Sequence, residues 1–149
     1  MESQTIACLQ PAPVKQTMNS TILLIEDDQL QVDFLEMGLK RQGFRVLSAM
    51  SCNGGFRLAR SERPDAILLD VLLPDGCGLA LCQQLADNPE TANIPIIILS
   101  GSDESDIVRQ SRFAGCHYFL KKPYDPNTLL LLINKTLERD ATESDVGLI

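Results

Sequence analysis

The sequence predicts an α/β protein, a doubly wound five-stranded parallel sheet with helices on both faces. Short apolar runs bounded by turn residues or charges alternate with segments of helical spacing, and the alternation occurs five times. The runs are apolar almost throughout, which is typical of strands buried on both faces in parallel sheets. Right-handed crossovers then place helices on both sides of the sheet, which gives a three-layer sandwich.

The predicted strands end near residues 27, 49, 70, 100 and 121. The apolar runs that define them are residues 22–25, 46–47, 66–69, 94–99 and 118–120. Pro64 and Pro95 stand at the start of two runs, where a strand tolerates proline.

The helical segments lie between these runs. In the first, Val32, Leu35 and Leu39 recur at helical intervals, and Gly43 is a C-terminal stop signal. Segment 51–63 is a weaker helix because it contains two adjacent glycines, whereas 78–88 and 104–115 each give about three turns. The last helix is expected to begin near Pro126 and to end near Arg139.

Length and composition exclude several classes of protein. The 149 residues suffice for one domain with its own core, and the net charge of −7 argues against direct binding to nucleic acid or to anionic membranes. The five cysteines are scattered, and His117 is the only histidine, so a zinc site is not expected. We therefore predict free thiols in the reducing cytoplasm.

The chemistry-bearing residues cluster at the predicted strand ends. Every strand of a parallel sheet ends at the same edge, where ligands bind in such folds. That edge would collect carboxylates, a hydroxyl and an ammonium, from Glu26, Asp27, Asp28, Asp70, Ser100 and Lys122. Each side chain alone could be a helix cap, a turn former or a surface residue. Together the carboxylates would repel one another without a cation, and oxygen ligands of this kind suit Mg²⁺.

Four motifs in this order resemble the CheY-like receiver domain of two-component response regulators. They are "ILLIEDD", "PDAILLDVLLPDGCG", "IIILSG" and "YFLKKPYDP". The resemblance covers about residues 20–140 and implies the flavodoxin-like strand order 2-1-3-4-5. It divides the chain into a flexible N-terminal extension at residues 1–20, a receiver domain at 21–139 and a flexible C-terminal tail at 140–149. Met18 is an alternative start to Met1.

The resemblance also implies a role for each matched residue. Asp70 would be the phospho-acceptor, and Asp27, Asp70 and the backbone carbonyl of Leu72 would hold Mg²⁺. Glu26 completes the acidic pair and would reach the ion through water, whereas Asp28 would cap the next helix. The remaining matches are Lys122, followed by a cis bond to Pro123, the switch hydroxyl Ser100 and the aromatic switch residue Phe119.

The implied partners are a sensor histidine kinase or histidine phosphotransfer protein and a downstream protein target. The output surface would comprise the fourth helix, fifth strand and fifth helix. Four consecutive leucines, residues 129–132, suggest either an apolar contact face for a partner or self-association, or broad burial of the fifth helix. No output domain is expected within these residues, so the chain would either act alone or be a piece of a longer protein.

Other functions fit the residues less well. A flavin carrier would need a phosphate-accepting first loop, which the acids of "EDDQ" would repel. A haloacid-dehalogenase-type phosphatase expects a second aspartate two residues after the first, where this chain has Leu72. A degenerate receiver that takes no phosphate is disfavoured by the complete residue set, and His117 is interpreted as a surface histidine rather than a phosphohistidine. We therefore expect a phospho-acceptor signalling domain and not a turnover enzyme.

Overall fold

The computed structural model describes residues 19–101 and 105–147, and it describes the side chains of residues 19–101 and 106–138. The expected N-terminal extension at residues 1–20 therefore lies almost wholly outside the described residues, together with Cys8 and Met18. Residues 148–149 of the expected C-terminal tail lie outside them too.

A five-stranded parallel sheet forms the centre of the molecule. Its strands are β1 (Thr21–Ile25), β2 (Arg45–Ala49), β3 (Ala66–Asp70), β4 (Ile96–Ser100) and β5 (Tyr118–Lys121). They lie in the order β2-β1-β3-β4-β5, and every neighbouring pair is parallel. The predicted fold class and strand order are confirmed. β1 ends at Ile25, two residues earlier than predicted, so Glu26 and Asp27 follow the strand.

Helices connect the strands and cover both faces of the sheet. They are α1 (Gln29–Arg41), α2 (Cys52–Glu62), α3 (Gly78–Asp87), α4 (Ser105–Phe113) and α5 (Pro126–Gly147). A small antiparallel hairpin, Leu72–Leu73 with Gly76–Cys77, lies between β3 and α3. Within residues 19–101 and 105–147, no helix is long and apolar enough to cross a membrane.

The core consists of two apolar clusters, one on each face of the sheet. Because alternate strand residues point to opposite faces, Ile22 and Leu24 of β1 pack toward α1 and α5, while Leu23 and Ile25 pack toward α2 and α3. β3 and β4 are buried at every position. The central strands are thus enclosed from both sides, which explains their continuous apolar sequence.

Gly55 of α2 has a packing reason that the sequence alone does not reveal. A Cβ placed on Gly55 would lie 2.5 Å from Cδ1 of Ile25, so only glycine lets the helix approach β1 this closely. The low helix propensity of glycine is therefore overridden by packing, and α2 is a full helix of 11 residues.

Helix α5 continues to Gly147, so the predicted end near Arg139 was wrong. No proline or glycine interrupts residues 127–146, and nothing in that sequence stops the helix. Most of the leucine run is covered: Leu129 and Ile133 are buried, Leu130 and Leu132 are half-buried, and 55% of Leu131 is exposed. The apolar face suggested by the sequence is accordingly reduced to Leu131 and its immediate surroundings.

Candidate functional site

The carboxyl ends of four strands bring the predicted residues to one edge of the sheet. Glu26 and Asp27 follow β1, Asp70 closes β3, Ser100 closes β4, and Lys122 follows β5. Lys122 N donates to the carbonyl of Ser100 at 2.7 Å, which fixes the loop after β5 against β4. The side chains of the three acids and Lys122 lie together because the strands are parallel, as the sequence predicted.

Three carboxylates form the centre of the site. Glu26, Asp27 and Asp70 each offer an oxygen, and these atoms lie within 4.8 Å of one another. Glu26 is 2% and Asp70 is 8% exposed, while Asp27 faces solvent. The group is thus reachable from one side and enclosed on the other.

Lys122 provides the positive charge of the site. Its Nζ lies 2.8 Å from Oε1 of Glu26 and 3.4 Å from Oδ1 of Asp70. It also donates to Oε1 of Gln31 in α1 at 2.8 Å. The Lys122 ammonium thus links the end of β1, the end of β3 and the first turn of α1.

Burial and neighbouring charges shift the pKa values of Glu26 and Lys122. Burial raises the pKa of Glu26, and the neighbouring Asp70 adds to that effect, although the hydrogen bond from Lys122 opposes it. Burial works against the charged form of Lys122, but its hydrogen bond to Glu26 and the charge of Asp70 outweigh this and raise its pKa. Lys122 therefore stays an ammonium at neutral pH.

The donor set fits a divalent cation. Three carboxylates and one ammonium leave a formal excess of two negative charges, which a divalent ion would offset. Oxygen ligands with one open, solvent-facing side are those that Mg²⁺ takes in proteins, together with water and phosphate oxygens. The residues could therefore hold Mg²⁺.

Close contacts with the residues that follow hold Asp70 in place. Val71 N donates to Oδ1 of Asp70 at 2.9 Å, and Gly78 N donates to the carbonyl of Val71 at 2.6 Å. A Cβ on Gly78 would lie 2.1 Å from the carbonyl oxygen of Asp70. Glycine is therefore required where α3 begins, because the helix start presses against the strand end.

Two further residues of the predicted set belong to β4 and β5. Ser100 is 3% exposed, one residue beyond Leu99, the register partner of Asp70 on β4. Phe119 of β5 pairs with Ile98 and is half-buried against the core cluster on the α2 and α3 face. Their assignment as switch residues stays a prediction. The cis bond between Lys122 and Pro123 is confirmed.

Two surface predictions are also confirmed. Asp28 caps α1 by accepting from Leu30 N and Gln31 N. His117 is exposed and accepts a hydrogen bond from Ile96 N at Nδ1.

Sequence reasoning missed two residues of the site. Gln31 bridges Lys122 and Asp28, to whose carboxylate its amide donates at 3.2 Å. Tyr124 is a second: burial raises its pKa to about 12, and the nearby charge of Glu26 contributes. The sequence signal for Gln31 was its position three residues after the capping residue Asp28, in the first turn of α1. The signal for Tyr124 was its position two residues after Lys122.

Comparison with known proteins agrees with this geometry. Residues 22–134 match the family profile described as "Response regulator receiver domain". Protein PilH of Pseudomonas aeruginosa is 34% identical over 116 residues, 78% of this chain and 96% of PilH. The transcriptional regulatory protein AfsQ1 of Streptomyces coelicolor is 36% identical over 124 residues, 83% of this chain but 54% of AfsQ1, so the chain spans about half of that relative.

Solved structures show the same fold. A CheY-like response regulator receiver domain protein from Methanospirillum hungatei has a TM-score of 0.80 at 25% identity, covering 84% of this chain and 98% of the other. The receiver domain of sensor histidine kinase PA1611 from Pseudomonas aeruginosa, solved with a magnesium ion in its active-site cleft, has a TM-score of 0.75 at 26% identity, covering 80% and 98%. With strand order, acidic cluster and lysine in agreement, the chain belongs to the response regulator receiver domain family of two-component signalling systems.

Proposed function

We propose that this receiver accepts a phosphoryl group on Asp70 from a sensor histidine kinase or a histidine phosphotransfer protein. One observation carries the proposal: the Asp70 carboxylate closes β3 at the sheet edge, beside two other carboxylates and 3.4 Å from the Lys122 ammonium. Asp27, Asp70 and the backbone carbonyl of Leu72 would hold Mg²⁺, and Glu26 would reach it through water. The magnesium reported in the PA1611 receiver supports this choice of ion.

The reaction requires little covalent chemistry from the protein. A carboxylate oxygen of Asp70 forms a bond to phosphorus, the bond from phosphorus to the donor breaks, and the product is an acyl phosphate. Catalysis of such transfers consists mainly of positioning and charge stabilisation. When bound, Mg²⁺ would supply neutralising charge to the phosphoryl oxygens. Lys122 adds a fixed positive charge, and burial of Glu26 and Asp70 keeps the reacting carboxylate in one place.

The signal would leave the site through Ser100 and Phe119. A phosphoryl group on Asp70 adds about −1.5 to −2 charge and strong acceptor oxygens. Ser100 would hydrogen-bond one of these oxygens, and Phe119 would turn inward and change the surface of α4, β5 and α5. Exposed apolar side chains on those helices, Phe113 at 82% and Leu131 at 55%, suit contact with a downstream protein or with a second copy.

Intact mass spectrometry tests the phosphorylation. The purified protein is incubated with acetyl phosphate, with and without Mg²⁺, beside Asp70→Asn and Asp27→Asn. We expect one phosphoryl adduct on the wild type with Mg²⁺, none without the metal and none on Asp70→Asn. Asp27→Asn should form the adduct more slowly because it removes a metal ligand and leaves the acceptor intact.

Two results would contradict the proposal. A folded wild type that forms no adduct would make the chain a phosphate-independent interaction module. Continuous release of phosphate at many turnovers per molecule would indicate a phosphatase. Light scattering of the treated protein then distinguishes the two output routes, since a monomer in both states would exclude self-association.

A further inference from the structure

The hairpin between β3 and α3 is held by a polar contact with another helix. The carboxylate of Asp75, at the hairpin tip, accepts from Cys52 N at 2.7 Å and from Asn53 N at 3.0 Å. Both amides belong to the first turn of α2, where a helix leaves its N–H groups without intrahelical partners. Ser51 Oγ accepts from Gly54 N, the third of these groups, at 3.1 Å. Asp75 therefore completes the cap that Ser51 begins.

This contact matters because the hairpin is short and mostly exposed. Each of its strands is two residues long, which is marginal without outside support. Leu73 is half-buried against the core, whereas Leu72, Gly76 and Cys77 are exposed and 78% of Leu72 is open to solvent. The base is held where Gly78 presses on the Asp70 carbonyl. At the tip, the attachment is the carboxylate of Asp75, and on the second hairpin strand the carbonyl of Cys77 accepts a long contact of 3.9 Å from the thiol of Cys52 in α2.

From this geometry we infer that Asp75 is a positioning residue for the metal site: by fastening the hairpin to α2 it fixes the Leu72 carbonyl where Mg²⁺ is to bind. The inference rests on the proposed function, which makes that carbonyl a ligand. The two backbone amides, Asn53 first, also lower the pKa of Asp75, so it is ionised at neutral pH and favoured by the positive end of α2. Outer residues that orient metal ligands commonly change metal affinity by about 10–100-fold when substituted.

A matched pair of variants tests the inference. Asp75→Ala removes two capping bonds of α2 and the carboxylate attachment of the hairpin tip, whereas Ser51→Ala removes a capping bond of the same helix and leaves both contacts between the hairpin and α2 in place. Asp75→Asn keeps an acceptor oxygen and serves if Asp75→Ala does not fold. Two quantities are measured on each protein: Mg²⁺ affinity by titration calorimetry, and hydrogen–deuterium exchange without metal of two peptides, one spanning residues 71–78 and one covering the start of α2.

We expect Asp75→Ala to bind Mg²⁺ about tenfold more weakly, at the lower end of the usual range because it acts through the backbone. Its hairpin peptide should exchange faster, and Asp75→Asn should fall between it and the wild type. Ser51→Ala should exchange faster at the start of α2 only and keep wild-type Mg²⁺ affinity. Equal loss of affinity in Ser51→Ala and Asp75→Ala would overturn the inference, since stability of α2 would then explain both.

The remaining outcomes separate this inference from the proposed function. If the wild type binds Mg²⁺ and Asp75→Ala binds it equally well, the positioning role is wrong and the proposed function stands. If the wild type binds no Mg²⁺, the metal role of the site and of Asp75 both fall. A hairpin that exchanges at the wild-type rate in Asp75→Ala would show that Asp75 does not fasten it.

Discussion

The Lys122 ammonium lies 2.8 Å from the Glu26 carboxylate, although the two residues are 96 positions apart in the chain. Glu26 is 2% exposed and the Lys122 side chain 19%, so the pair is largely shielded from water. Removing one member of such a pair leaves the other charge buried and uncompensated.

Lys122→Met should therefore lower the free energy of unfolding by about 2 kcal/mol at pH 7, the usual scale for a hydrogen bond to a charged group. The loss should be below that of a fully enclosed pair because Lys122 reaches solvent. Urea unfolding measures it, with Lys121→Met as the control at a neighbouring exposed lysine. Combining Lys122→Met with Glu26→Gln should recover part of the loss. An unfolding curve for Lys122→Met equal to the wild type would contradict the account.

Stability should fall as the pH rises above about 10, the ordinary range of tyrosine and lysine. The folded state holds the Lys122 proton more tightly than the unfolded state does. The stabilisation that protonated Lys122 gives is therefore complete below the ordinary lysine pKa, and it is lost as the pH rises through the raised pKa of the folded state. Tyr124 acts in the same direction, since between pH 10 and its raised pKa of about 12 only the unfolded state ionises.

Urea unfolding at about pH 9 and about pH 11 measures this alkaline loss. We expect it to be smaller in Tyr124→Phe than in the wild type. Equal alkaline losses in Tyr124→Phe and the wild type would count against the buried position of Tyr124 beside Glu26.

Two glycines in helices should respond oppositely to alanine. Gly55→Ala brings a methyl group to within 2.5 Å of the buried Ile25, so we expect a loss of about 1–3 kcal/mol despite the better helix propensity. At Gly38 of α1, an added Cβ would have no heavy atom of the described residues within 4 Å, apart from its chain neighbours and the nearby backbone of its own helix. Gly38→Ala should therefore stabilise the protein by about 0.5–1 kcal/mol. Thermal unfolding of Gly55→Ala and Gly38→Ala measures both changes in stability. Adding Ile25→Val to Gly55→Ala should restore part of the lost stability, because valine lacks the Cδ1 methyl group. A stabilised Gly55→Ala would contradict the close packing of α2 on β1.

Among the four cysteines that the structure describes, thiol reactivity should differ widely. Burial raises the pKa of Cys52 to about 11, with the charge of Asp75 contributing, and burial raises that of Cys82 to about 12. The thiolate is the reactive form, so both should react slowly with iodoacetamide at about pH 8, while exposed Cys77 reacts first. Peptide mass spectrometry at timed intervals measures the order. Fast modification of Cys82 in the folded protein would contradict its burial.

The sequence predicted the frame of the site because parallel topology leaves little freedom. An apolar run that ends at Asp70 must place that carboxylate at the sheet edge, and Glu26 and Asp27 reach the same edge through β1. The periodicity of Val32, Leu35 and Leu39 likewise predicted the buried face of α1.

The missing parts depend on single contacts between distant segments. Asp75 and Cys52 are 23 positions apart, and Gln31 and Lys122 are 91 apart. A single polar residue leaves no periodic signal in the sequence for such a contact. Gly55 of α2 contradicts helix propensity until the position of Ile25 is known. The extra length of α5 was missed because a polar sequence without stop signals was interpreted as a tail.

The location of the phosphoryl group is the most direct test of the central claim. The wild type is treated with acetyl phosphate and Mg²⁺, and borohydride then reduces any aspartyl phosphate to homoserine, which tandem mass spectrometry assigns to a residue. We predict homoserine at position 70, and its absence when either acetyl phosphate or Mg²⁺ is omitted. Homoserine at position 27 or at another acidic residue, or none in a folded protein, would contradict the assignment of Asp70 as the phospho-acceptor.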